Sequence, residues 1–219
     1  MSSASNVLLI WCTATVSSTV RIIGVMHRLK YIYPRHILFR LYNTLIIPHF
    51  TYSILVWGSK IVPNHSIHLL QKKALRIVTN KEYIAHSEPL CKELHVVSVP
   101  DMFCLSLWKF YFKLMNNKLP QFFNIMLPVQ PLICQTHDIR KPKLHLPAIK
   151  HEFAEQLLQF QIVKLLNKEQ SSLITSKVHS HSFHGFKIYL KNSFINSYSD
   201  HCIIVNCNAC AELVRRQNT

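Results

Sequence analysis

The residues of this 219-residue chain best suited to chemistry are basic. Lys72, Lys73, Arg76 and Lys81 fall within ten positions, in the run LLQKKALRIVTNK. Lysine and arginine at such density bind anions, phosphate groups above all. The chemistry open to carboxylates is missing. Two-metal phosphoryl transfer needs neighbouring acids to hold Mg²⁺, and the chain's aspartates are Asp101, Asp138 and Asp200, no two of them adjacent. No glycine-rich phosphate loop exists, because Gly24, Gly58 and Gly185 are isolated. No serine or cysteine sits on a recognisable nucleophile elbow or beside an orienting acid. Cys207-Asn-Ala-Cys210, with Cys202 and His201 before it, offers two thiolates at clamp spacing, and His179, His181 or His184 could complete a zinc site. A second CxxC or HxxxH at knuckle spacing is missing, so the reading is no metal and no cofactor.

Charge is distributed unevenly. Residues 1–81 hold ten Lys/Arg and no acid, and Glu82 is the first carboxylate. Later residues carry the other 15 of 25 bases against all 10 acids, so +10 of the net +15 lies in the first 81 positions. A long acid-free stretch attracts polyanions. The plainer alternative is a basic, solvated surface. Aromatics interleave with these bases: Tyr31, Tyr33, Phe39, Tyr42, Phe50, Tyr52, Trp57 and Tyr83. Bases stack on exposed rings, although more than half of these rings are expected in the core.

The elements that position these groups read as helices. Ile67, Leu70, Ala74, Ile77 and Val78 step by three and four, predicting an amphipathic helix over about Asn64–Thr79 with its lysines turned outward. Before it, residues 19–32 predict a short helix with Ile22, Val25/Met26 and Leu29 inward. A second helix follows Pro34, with Ile37/Leu38, Leu41 and Leu45 as its stripe, until Pro48 kinks or ends it. HFTYSILVWG fits either helix or strand, with helix favoured by its flanks. After it come a short helix near Leu90–Leu94 and a long one over Pro100–Lys118, N-capped by Ser98 or Asp101. The long helix is apolar on most sides, with Lys109 and Lys113 as its exposed charges. Helices are also predicted over residues 148–168 and about Ser182–Tyr198, the latter presenting Lys187 and Lys191.

The fold class is therefore mainly α. Its divisions are an unassigned segment 1–18, a helical domain 19–125, a linker 126–147 rich in proline (Pro128, Pro131, Pro142, Pro147), and a smaller helical region 148–219 ending in an irregular cysteine-containing tail. No run reaches the roughly 18 apolar residues of a membrane span, and no targeting signal is evident at the N-terminus. Seven scattered cysteines argue for a reducing, intracellular setting, cytoplasmic or nuclear.

Three segments in order carry a resemblance: LYNTLIIPHFTYSILVWGS (Leu41–Ser59), LLQKKALRIVTN (Leu69–Asn80) and AHSEPLCKELHVVSVPDM (Ala85–Met102). Together they resemble the segment downstream of the polymerase core in non-LTR retrotransposon reverse transcriptases of the jockey-like kind. LWKFYFKLMNNKLPQFF (Leu107–Phe123), FHGFKIYLKN (Phe183–Asn192) and the cysteine tail look like its continuation. The resemblance spans roughly residues 19–210. It implies a thumb-like helical bundle and post-thumb region, lying along an RNA or RNA–DNA duplex, with the catalytic palm and its aspartate pair absent. On that reading the chain is no enzyme, and Lys72, Lys73, Arg76 and Lys81 contact backbone phosphates. The alternative is an interaction module or degenerate-element product with no selected activity, self-associating through apolar faces of the 100–118 and 148–166 helices left by missing domains.

Overall fold

The computed structural model describes residues 3–59, 61–126, 133–134, 143–144, 155, 157–167, 174, 177–178 and 182–199. The chain is mainly helical, as its periodicity predicts. The one ladder among the described residues is a two-residue antiparallel pair, Ile133 opposite Leu144 and Cys134 opposite Lys143. The chain divides into two compact units, Met1–Met102 with Ser193–Thr219, and Phe103–Asn192.

In the first unit α1 (Ser3–Leu29) is a single long helix. It begins well before residue 19, because the segment 3–18 continues the turn that the later residues start. Its buried line runs Thr15, Thr19, Ile23, Met26, while Val25 is exposed. A reading by hydrophobicity alone misses this face, since two of its members are threonines. Thr19 resolves the polarity by donating its hydroxyl to the Thr15 carbonyl at 2.8 Å.

Pro34 precedes α2 (Arg35–Leu41), which runs into a π-helical turn, Tyr42–Ile46, and then α3 (Ile47–Thr51). Pro48 has no N–H to give the preceding turn. The chain absorbs this with a wider turn in which the Ile47 N–H reaches back to the Tyr42 carbonyl. The extra residue carries Leu45 out to solvent and puts Ile46, wholly buried, on the inner line with Leu38, Tyr42 and Phe50. The stripe expected from a regular helix is thus displaced by one position. Ser53, at φ 50°, breaks the chain before α4 (Ile54–Trp57), and Trp57 Nε1 closes the corner on the Tyr52 carbonyl at 2.8 Å.

α5 (Ile61–Thr79) is the helix against which α1, α2 and α6 (Ser87–Glu93) pack. Its C-terminus ends with Asn80 at φ 52°, which lets the Lys81 N–H bond the Arg76 carbonyl at 2.9 Å. The same left-handed stop, again without glycine, recurs at His95 after α6 and at Asn117 after α7 (Val99–Met115). The long helix therefore ends at Met115, with Asn117 as its left-handed stop, short of the Lys118 expected from the sequence. At its start Ser98 caps the helix as expected, its hydroxyl donating to Asp101 Oδ2 at 2.6 Å. The Tyr198 hydroxyl donates to the same oxygen at 2.6 Å and accepts from the Ser98 N–H at 2.9 Å.

The second unit takes most of α7, then α8 (Gln121–Met126), the short ladder, α9 (Leu158–Leu166) and most of α10 (Phe183–Asn196). Phe110 meets Phe123 edge-on at 5.7 Å, and Phe112 stacks on Phe186 at 4.8 Å. Asn116 Nδ2 donates to the Val178 carbonyl at 3.3 Å. The helix expected over 148–168 starts only at Leu158, because Leu157 is extended (φ −62°, ψ 137°) and stands as its N-cap; Ile162, Val163 and Leu165 are its buried side. Met115 is the large apolar side chain of α7 that reaches solvent.

Candidate nucleic-acid interface

The basic face of α5 is set by what the opposite face must bury. Ile67, Ala74, Leu75, Ile77 and Val78 are inward, which turns Lys73 out to solvent. One inward position is polar. Gln71 is fully buried, and its side chain joins three parts of the unit. Its Nε2 donates to the Tyr42 hydroxyl at 3.1 Å and to the Val97 carbonyl at 2.9 Å. Its Oε1 accepts the Val99 N–H at 2.8 Å. Gln71 thereby fixes the rotation of α5 against the π-turn and the start of α7, and with it the direction of Lys72 and Lys73. Its signal in the sequence is a polar residue four from Ile67 and three from Ala74, on the apolar line.

The four expected phosphate-binding residues do not share one environment. Lys73 and Lys81 are exposed. Lys72 is half-buried, and its charge acts on His68 of α5 and on Cys91 of α6. Burial, then the charge of Lys72, pushes the His68 imidazole below its ordinary value. Burial raises the Cys91 thiol to about 12, with Asp101 and Glu88 adding to the rise and Lys72 opposing it. Acids distant from Lys72 in sequence thus act on the same thiol as Lys72 does, which charge counting along the chain does not reveal.

Arg76 is half-buried and engaged. Its Nε donates to the Ala85 carbonyl at 2.8 Å, and the guanidinium lies 5.5 Å from the centre of the Tyr83 ring. It clamps the 81–86 loop onto α5. The loss of water lowers its affinity for the proton. The fork still has its two terminal nitrogens for an anion, since only Nε is spent on the loop.

Of the aromatics interleaved with the bases, Tyr42, Phe50 and Trp57 are core, and Phe39 stacks on Tyr42 at 6.3 Å. Those that reach solvent are all tyrosines: Tyr31, Tyr33, Tyr52 and Tyr83, the last 79% exposed. Tyr83 and Arg76 together put a ring and a cation beside Lys81. An ion pair among the described residues joins Arg35 to Glu93 at 2.6 Å and involves none of the four.

Cys202, Cys207, Cys210, His179 and His181 lie outside the described residues, and His184 is exposed on α10. Among the described residues no cluster of His, Cys, Asp and Glu could hold a metal, and no helix is long and apolar enough to cross a membrane. No family model, no curated protein and no solved structure matches the chain.

Proposed function

We propose that this chain is a non-catalytic nucleic-acid-binding protein that grips the phosphate backbone of RNA or an RNA–DNA duplex through the outer side of α5. Its ancestry on this reading is the thumb and post-thumb region of a jockey-like non-LTR retrotransposon reverse transcriptase. The observation that carries the proposal is the exposed pair Lys73 and Lys81 flanking the Arg76–Tyr83 contact, in a segment whose first 81 residues hold no acid. Lys72 lies at the margin of this face. An intracellular setting goes with the reading, in keeping with seven cysteines at scattered spacings.

Binding of a fluorescent RNA–DNA duplex, measured across a salt series, tests it. The chain should bind with micromolar or tighter affinity at low salt. Lys72→Glu/Lys73→Glu/Lys81→Glu leaves the Arg76 clamp intact and should make the plot of log K against log salt shallower by roughly 3, at about 0.9 for each phosphate no longer neutralised. An unchanged slope and affinity would refute the proposal. A second reading, self-association, draws on the exposed apolar side chains of the first unit, among them the neighbours Tyr31 at 77% and Ile32 at 73%. It requires concentration-dependent oligomers in light scattering, and a monodisperse monomer rejects it.

A further inference from the structure

The second unit carries a basic cluster of its own. Lys109 and Lys113 stand four residues apart on α7, one above the other on the helix surface. Lys187 comes from α10. The two helices meet through Phe112, whose ring stacks on Phe186 and tilts against Phe183 at 5.6 Å. Lys113 Nζ lies 5.3 Å from the centre of the Phe183 ring, and Phe183 is one turn from Lys187 along α10. The aromatic seam therefore gathers the three ammonium groups along one side of the helix pair.

Like charges gathered this way repel. Lys109 registers the repulsion. It is half-buried, and its ammonium is pushed down to about 8, first by the loss of water and then by Lys187 and Lys113. Among the described residues no carboxylate acts on it, and none of the three lysines makes an ion pair. Lys109 is thus not the freely exposed charge that its place on the helix suggests. An anion seated among the three would relieve the repulsion and return Lys109 to full charge. A phosphate group suits them because it offers several acceptor oxygens to separate donors at once.

We propose that Lys109, Lys113 and Lys187 form a phosphate-binding site in the second unit, distinct from the face of α5. It stands without the nucleic-acid reading, because a free phosphate compound and a nucleic-acid backbone present the same chemistry to it.

The test is the rate at which each lysine of the full chain reacts with an amine-selective reagent, read by peptide mass spectrometry at pH 8. A group titrating at about 8 is half neutral there, against about 0.3% for a lysine at the ordinary 10.5. Inorganic pyrophosphate and an RNA–DNA duplex are added in separate arms, with exposed Lys164 on α9 as the internal reference. Either ligand should slow labelling of Lys109 at least about fivefold relative to Lys164. Protection by pyrophosphate alone identifies a free phosphate compound as the source, and protection by the duplex identifies the backbone. Lys187→Gln, and separately Lys113→Gln, should abolish the protection; both residues are exposed, and circular dichroism confirms folding. Labelling of Lys109 unchanged by both ligands, or slowed equally at Lys164, overturns the proposal.

Discussion

Replacing Gln71 with leucine keeps nearly the same volume and removes the polar junction beneath α5. Gln71 satisfies the Val97 carbonyl and the Val99 N–H, both in buried surroundings, and donates to the wholly buried Tyr42 hydroxyl. Leucine can replace none of these bonds. Each orphaned buried group costs about 1–3 kcal/mol. Counting the two backbone groups alone, Gln71→Leu should lose about 3 kcal/mol of stability. Gln71→Ala should lose about 1–2 kcal/mol more, from the space left in the core. Gln71→Glu is isosteric, yet it sets a carboxylate oxygen against the Val97 carbonyl and should fare no better than leucine. Urea unfolding followed by circular dichroism measures all three, with the midpoint falling and the slope held constant. A Gln71→Leu protein within about 0.5 kcal/mol of the parent would refute the assignment of Gln71 as a structural junction. It would also remove the reason for a fixed orientation of Lys72 and Lys73.

Two further outcomes follow from the same unit. Asn80 holds a left-handed conformation at the end of α5, so Asn80→Ala should cost about 1 kcal/mol and Asn80→Gly should be neutral or stabilising, both read from thermal unfolding. His68 has its proton affinity lowered in the folded state by burial and by Lys72. The unfolded chain therefore binds that proton more tightly, and stability should fall as pH drops below the ordinary histidine value of 6.5 until the folded group also protonates. His68→Gln should flatten that part of the stability–pH curve, and a curve identical to the parent's would remove His68 as the cause.

The clamp of Arg76 on the 81–86 loop has a bearing on how binding variants are read. Arg76 holds Ala85 through Nε and lies against Tyr83, so its removal loosens a loop as well as deleting a charge. Weakened binding in Arg76→Glu alone would mix the two effects. Lys73 and Lys81, both exposed, report charge more directly. An Arg76→Lys variant separates the roles from the other side, since it keeps the charge and loses the planar fork.

Much of this chain was legible from residue order. The periodicity of Ile67, Ala74, Ile77 and Val78 determines that α5 is an amphipathic helix, because a 3.6-residue repeat can bury those side chains in no other way. The Ser98–Asp101 pair announces the start of α7 through short-range hydrogen bonding. The absence of acids before Glu82 sets the sign of the first part of the chain whatever its shape. Other features required the packed molecule. The π-turn at Tyr42–Ile46 moves the buried stripe by one residue, because Pro48 withdraws a donor and the core then selects Ile46 over Leu45. Thr15 and Thr19 face inward because a neighbouring carbonyl satisfies Thr19's hydroxyl, not because threonine is apolar. Gln71 is buried because the backbone of Val97 and Val99 needs it, a match made across 26 and 28 residues. Charge divides in the same way. Residue order fixes how many lysines the chain carries, but the meeting of Lys72, Asp101 and Glu88 around Cys91, and the action of Lys187 on Lys109, arise only when helices distant in sequence come together.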